Sequence, residues 1–398
     1  MSGAKSSKRQ SWLHFFKEYT DDVTISEPQL HDYAERIDDL LHDQWQLGQN
    51  LVLLWTAERE VIWLLVVHHW QLAETAAEER EWISELVTGP KDVTVPLLHD
   101  AAQRFGVEPV RVTLEFDPVE SLGRPFVSAL VRRYSVSLVR DRAVALFDIV
   151  DFSLLSPLEQ VTQLNSLSYS VNAAYSKLLD RAIEITFART TTGDGFYIWN
   201  RNDTIRGNID LYHFVQLILA DNAVARSKAR NATAPLLRAA FHVGSHYEFY
   251  QEEGLSPTTF SYIVGDVTIA LARMVDKALP GQILIGDFNL PMHRDDGRTV
   301  APVDTLTFIE RTRQTLADLD GLELSGDSID AIRCYLTGPA HEEGDYGVSR
   351  YRIIDKHGLE HTVYNAKVNI YRHHDAPILL GIREGDLEDF DAAYLGEI

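Results

Sequence analysis

Cysteine is nearly absent: Cys334 is the only one in 398 residues. One thiol cannot build a disulfide framework or a thiolate zinc site, so a reducing cytoplasm is the expected compartment. Basic residues are also short, 37 against 59 acidic ones, for a formal net charge of −22. Binding a nucleic-acid chain needs a basic footprint that replaces counterions, so no polynucleotide partner is expected. A single nucleotide stays open, because a metal ion and one arginine can hold a small anion inside an acidic protein. Long uncharged runs are missing too. The most apolar window, "NLVLLWTAEREVIWLLVVHHW" at 50–70, is broken by Glu58, Arg59 and Glu60. A membrane span needs roughly 20 largely uncharged residues, so no membrane association is expected and the window reads as helices buried in protein. The N-terminal "MSGAKSSKRQSW" is basic but lacks the apolar core of a signal peptide. There is no internal repeat or low-complexity tract.

What is present is ample apolar material, 45% of residues, enough for two or three domains at this length. Residues 1–130 read as mainly helical: "QLHDYAERIDDLLHDQW" places Leu30, Tyr33, Ile37 and Leu41 near helical spacing. A regulatory or dimerising region is expected there, with Trp45, Trp55, Trp63, Trp70 and Trp82 in helix packing. Residues 135–290 alternate: strand 143–150, helix 157–180, strands 183–190 and 195–200, helix 210–229, strand 237–249, helix 265–278 and strand 282–287. That order mixes a hairpin with crossover helices, which predicts an α+β sandwich with a partly antiparallel sheet. Residues 291–398 open on the loop-like "PMHRDDGRT" and contain a hairpin turning at Lys356-His357-Gly358. They read as a small β-containing C-terminal module.

Two acids stand at strand ends. "ALFDIVDFS" runs apolar residues into Asp148, and "ARTTTGDGFYIW" places Asp194 at a hairpin tip. Carboxylates brought together repel, and a divalent cation removes that cost. Oxygen donors without His or Cys favour magnesium or manganese, which keep open positions for phosphate oxygens. Each acid alone is equally explained as a strand terminator or a turn former. A third segment, "YIVGDVTIALARMVDKALPGQILIG", places Gly265 before a helix and Arg273 two turns along it.

Together these segments resemble the class III nucleotidyl cyclases. The matches are Phe147-Asp148-Ile149 with Phe152-Ser153, then Gly193-Asp194, then Gly265 with Ala270, Ala272 and Arg273. The resemblance covers roughly 135–290 and implies a ferredoxin-like α+β sandwich. It also implies a reaction, attack of a ribose 3′-hydroxyl on the α-phosphate of a nucleoside triphosphate, giving a 3′,5′-cyclic nucleotide and pyrophosphate. By resemblance Asp148, Asp194 and the carbonyl of Ile149 hold two Mn2+ or Mg2+ ions. The N–H groups near Phe152 and Ser153 would receive phosphates, and Arg273 would stabilise charge at the α-phosphate from the other subunit of a homodimer.

The departures bear on the base. Thr190 stands where purine cyclases carry a base-reading Lys, Tyr262 where adenylyl cyclases carry Asp or Thr, and Ile269 where the helix usually carries Asn. Loss of the Lys and Asp contacts suits a pyrimidine, UTP or CTP, and is similar to the pyrimidine cyclases of Pycsar antiphage systems. Two alternatives stay open: a purine cyclase, and a degenerate cyclase-fold module that binds nucleotide or partner, for which Ile269 argues.

Other candidates carry blander readings. His242 and His246 have helical metal spacing but lie in a strand pattern, where i and i+4 are about 13 Å apart. They read as core or surface histidines. His68-His69 and the "HHD" at 373–375 are not expected to bind metal. Asp151, in place of a family glycine, is expected to face solvent, and Asp266 and Asp276 to cap and decorate their helix.

Overall fold

A computed structural model describes residues 25–45, 50–181, 183, 187–202, 204–230, 233–252, 259–294, 296, 300–341 and 346–398. The basic N-terminal stretch falls outside the described residues. The chain divides into two compact units, 1–139 with 247–263 and 140–246 with 264–398. No helix among the described residues is long and apolar enough to cross a membrane.

The first unit contains α1 (Glu27–Gln44), β1 (Asn50–Glu58), β2 (Val61–His68), α2 (His69–Glu78), α3 (Arg80–Thr88), α4 (Val95–Phe105), β3 (Val110–Thr113), α5 (Pro118–Leu122) and α6 (Arg124–Arg132). The stripe expected in α1 is present, with Ile37 and Leu41 buried. The apolar window at 50–70, expected to be helical, is instead a β-hairpin. Glu58 pairs with Val61 across a two-residue turn in which Arg59 has φ 53°. Both faces of this hairpin are covered: Val52 and Trp55 pack with Ile37 and Phe126, and Leu53 and Leu65 pack with Ile83 and Leu98. A strand buried on both faces reads as an unbroken apolar run, which periodicity cannot tell from a buried helix. Trp55 and Trp63 are therefore sheet residues, and Trp70 on α2 is 59% exposed. Trp45 and Trp82 meet the expectation of helix packing. Trp45, at the end of α1, sets its ring edge-on to Tyr134 at 5.6 Å, and Trp82 on α3 lies 5.3 Å from Phe105 of α4.

The second unit follows from β4 (Val136–Ile149), which runs into it. It holds α7 (Pro157–Asp180), β5 (Phe187–Thr191), β6 (Gly195–Asn200) and α8 (Ile205–Lys228). Next come β7 (Leu237–Glu252) and β8 (Thr259–Val264), of which the part within 247–263 belongs to the first unit, then α9 (Asp266–Lys277), β9 (Ile283–Gly286), β10 (Asn289–His293), β11 (Val300–Asp304) and α10 (Thr305–Thr315). The last elements are β12 (Glu323–Leu324), β13 (Asp327–Leu336), β14 (Ser349–Ile354), β15 (Glu360–Arg372), β16 (Ile378–Leu380) and β17 (Ala393–Glu397). One large sheet runs β12-β13-β15-β9-β7-β4-β6-β5. β7 and β9 are parallel, whereas β4/β6, β5/β6, β9/β15 and β13/β15 are antiparallel, so the mixed α+β class is as expected. α8 is buried nearly all round, packed against α7 and α10, which is why its sequence shows no amphipathic stripe. β8 is absent from the expected element list.

Residues 291–398, expected as a separate module, belong to this same compact unit. β15 joins β9 through Ala366 to Ile283 and carries β13 on its other edge. The loop-like "PMHRDDGRT" spans the connection between paired strands β10 and β11, so its polar composition marks a hairpin and not a domain boundary.

Candidate active site

Alternation along β4 decides where Asp148 points. Phe147 and Ile149 are buried in the core, so Asp148 between them lies on the opposite face, half-buried. Asp148 is paired with Gly195 of β6, and the N–H of Ile149 donates to the carbonyl of Asp194 at 3.0 Å. The two acids therefore occupy adjacent ends of one ladder. A Cβ at position 195 would lie 1.8 Å from the Phe147 oxygen, so only glycine admits this approach. The tip itself is closed by Thr192 N–H to Gly195 O (3.0 Å), while Thr192 Oγ1 donates to Asp194 Oδ1 (3.0 Å).

Arg238 is the site residue that sequence reasoning missed. It lies on β7, and its Nε donates to Asp148 Oδ2 at 2.6 Å while Nη1 reaches the Ala278 carbonyl at 3.3 Å. A signal existed in "LLRAAFHVG": Leu237, Ala239 and Phe241 face the core, so the lone cation between them faces the other way. Burial pushes the Asp148 carboxyl above its ordinary range, Arg238 opposes the shift, and the charges of Asp194 and Asp276 add to it. Asp276, expected as helix decoration, thus acts on Asp148 electrostatically.

Beyond β4, Asp151 is exposed with φ 57°, a conformation that favours the glycine it replaces in the resemblance. The following turn closes through Leu154 N–H to Asp151 O and Leu155 N–H to Phe152 O, leaving the N–H groups of Phe152 and Ser153 outside those bonds. α7 begins only at Pro157. Its first turn is occupied by its own capping box, in which Ser156 Oγ donates to Glu159 Oε2 at 2.6 Å. Any anion held here would meet the turn and not the helix end.

The remaining candidates are dispersed. Thr190 on β5 is half-buried and pairs with Tyr197, whose hydroxyl donates to the Thr268 carbonyl of α9 (3.0 Å) and is pushed up to about 12 by burial. Tyr262 lies on β8, in a segment that belongs to the first unit, stacked 5.7 Å from Phe249. Ile269 is 46% exposed on α9. Arg273, one turn on, has Nε 3.2 Å from Asp355 Oδ2 and Nη1 3.6 Å from Asp276 Oδ2. Among the described residues no ion pair joins Arg273 to Asp148 or Asp194 of its own chain.

His242 and His246 are core histidines, each pushed down to about 4 chiefly by burial. His374 and Asp375 of the "HHD" donate their N–H groups to Asp327, a capped turn. No cluster of three or more His, Cys, Asp or Glu suited to a metal occurs among the described residues. The fit of a hard divalent ion therefore rests on Asp148 and Asp194 with the Ile149 carbonyl. Burial and mutual repulsion leave this pair short of positive charge beyond Arg238, and the donors are all oxygen, so the residues fit such an ion.

No protein-family model and no curated protein matches the chain. Solved structures similar to it include the guanylate cyclase domain of RhGC from Catenaria anguillulae in complex with GTP, with 13% identity over 60% of this chain and 99% of that one, TM-score 0.33. The adenylyl cyclase CyaB from P. aeruginosa shares 12% identity over 60% and 99%, TM-score 0.33. The guanylyl cyclase Cya2 shares 12% over 58% and 92%, TM-score 0.31. At these scores nothing about substrate or catalysis transfers to this chain.

Proposed function

We propose that the protein is a nucleotidyl cyclase that converts a pyrimidine nucleoside triphosphate, UTP or CTP, to its 3′,5′-cyclic nucleotide and pyrophosphate. The observation that carries the reading is the ladder end, where the Ile149 N–H bonds the Asp194 carbonyl beside Asp148. It brings together two acids that are 46 residues apart in sequence. Asp148, Asp194 and the Ile149 carbonyl would hold Mn2+ or Mg2+. Those ions would acidify the ribose hydroxyl and neutralise triphosphate charge. The N–H groups of Phe152 and Ser153 would receive phosphate oxygens. Arg238 would hold one Asp148 oxygen in place, fixing the direction of the other. Arg273 would meet the α-phosphate held by a second copy, which makes a two-fold homodimer the working unit.

By the sequence resemblance, position 190 holds threonine where purine cyclases carry lysine and position 262 holds tyrosine where adenylyl cyclases carry Asp or Thr, and a tyrosine hydroxyl can make few directed bonds. This supports pyrimidine selectivity and, with it, a signalling product of the antiphage kind. One observation favours a second reading, a cyclase-fold module without turnover: one of the two Asp148 oxygens, Oδ2, is already taken by Arg238 at 2.6 Å, which leaves the acid a single oxygen for an ion. Product formation by wild-type protein with manganese, lost in Asp194→Ala, separates the two. Equal product from Asp194→Ala would overturn the metal-holding role of Asp194, and no product from the wild type would overturn the cyclase reading.

A further inference from the structure

We infer that Asp355 is a positioning residue for Arg273, fixing the guanidinium from its Nε side so that its terminal edge is presented to the substrate phosphate; the inference rests on the cyclase reading above. Asp355 sits at the head of the β14–β15 turn. Its N–H donates to the Leu359 carbonyl (3.0 Å), and its own carbonyl accepts from Gly358 N–H (3.0 Å). One side-chain oxygen, Oδ1, accepts from the N–H groups of His357 (2.8 Å) and Leu359 (2.9 Å). The turn therefore consumes Oδ1 and fixes the plane of the carboxylate.

The other oxygen has no such use. Oδ2 is buried, accepts no hydrogen bond among the described residues, and lies 3.2 Å from Arg273 Nε and 4.0 Å from His361 Nε2. The Asp355 side chain is 1% exposed. A buried carboxylate oxygen without a bonded donor is costly unless a charge faces it, and Arg273 is the cation in reach. Arg273 Nε is equally enclosed and lacks a hydrogen-bond partner, although its side chain as a whole stays 20% exposed. Its other contact is loose, Nη1 at 3.6 Å from a carboxylate of Asp276 that is 66% exposed. The charge is thus anchored on the inner side, and the outer N–H pair keeps donors for an anion. A turn-forming role alone would need only Oδ1, which an asparagine supplies equally well.

That difference makes Asp355→Asn the test, with Asp355→Ser as a second variant that also keeps a side-chain oxygen for the turn. With wild-type turnover established, Asp355→Asn should lower kcat about 10- to 100-fold with KM little changed, the size expected when an oriented charge is lost. In an Arg273→Lys background, which lacks Nε, Asp355→Asn should cost nothing further. A merely structural role would instead multiply the two losses. A second arm needs no turnover. The Arg273 Nε–H resonance, assigned by its disappearance in Arg273→Lys, should be protected from solvent exchange in the wild type and lose protection in Asp355→Asn. Unchanged kcat, multiplicative losses, or an Nε–H indifferent to Asp355 would overturn the inference. Absence of wild-type turnover with the Nε–H behaviour intact would overturn the cyclase reading and leave the anchoring of Arg273 by Asp355 standing.

Discussion

Arg238 Nε lies 2.6 Å from Asp148 Oδ2, an internal cation seated on the acid that also adjoins Asp194. The pair links the functional reading to stability, because removing either partner leaves a half-buried charge. Arg238→Gln is expected to destabilise metal-free protein by about 1.5–3 kcal/mol, the range for a hydrogen bond to a charged group. Manganese should recover more stability in Arg238→Gln than in wild type, since the ion supplies the missing positive charge. Thermal unfolding with and without manganese measures both, and equal manganese stabilisation of the two proteins would contradict it.

Asp148 also fixes a pH dependence. Its carboxyl is raised from about 3.8 mainly by burial, so the folded state binds that proton more tightly than the unfolded one. The resulting stability is fully present below the unfolded value and is lost as pH rises through the folded one. In chelator, the stability of wild type minus that of Asp148→Asn should fall as pH climbs from about 4 to 7. Denaturant unfolding across that range gives the difference, and a rise with pH would refute the sign.

Gly195 tests the ladder. A methyl there would lie 1.8 Å from the Phe147 carbonyl oxygen, whereas one at Gly385 would meet nothing within 4 Å. Gly195→Ala should therefore cost about 1–3 kcal/mol by overpacking and should impair manganese binding by moving Asp194 relative to Asp148. Gly385→Ala should be close to neutral in both measurements. Equal stability and equal manganese affinity of the two variants would remove the close approach from the explanation.

Much of this unit was legible because its patterns are local. The helix at 157–180 and the strand at 195–200 follow from the capping box at Ser156 and from the Gly193-Asp194-Gly195 turn. The hairpin that carries Asp194 was also readable from its turn, whereas its place beside Asp148 depends on β6 pairing with β4 across an intervening helix and came from the family resemblance. Arg238 was not, since its tie to Asp148 spans 90 residues and depends on the order of strands in the sheet. Asp355 was hidden in the same way, because its contact with Arg273 joins segments far apart in sequence. The hairpin at 50–68 was misread because both faces are covered, erasing the alternation that marks a strand. The 291–398 region was set apart by a polar loop, while the β9–β15 pairing that ties it in leaves no sequence mark.

Assembly can be tested by mixing damaged chains. If Arg273 serves the acids of a second copy, Asp148→Ala mixed with Arg273→Ala should regain part of the activity, because one complete site can form from the two chains. Asp148→Ala mixed with Asp355→Asn should behave the same way, and Arg273→Ala mixed with Asp355→Asn should not. No recovery in the first mixture, with subunit exchange demonstrated by differential labelling, would place Arg273 outside the partner's site.

The most direct measurement is product formation from each of ATP, GTP, UTP and CTP by purified wild-type protein with manganese, read by mass spectrometry of the 3′,5′-cyclic nucleotide and by pyrophosphate release. UTP or CTP should be converted faster than either purine, by roughly 10³-fold if unpaired polar groups exclude the wrong base. Asp148→Ala and Asp194→Ala should each lose on the order of 10²-fold or more. Absence of cyclic product from all four triphosphates, with manganese bound, would contradict the assignment, and equal conversion of ATP and UTP would contradict the pyrimidine preference.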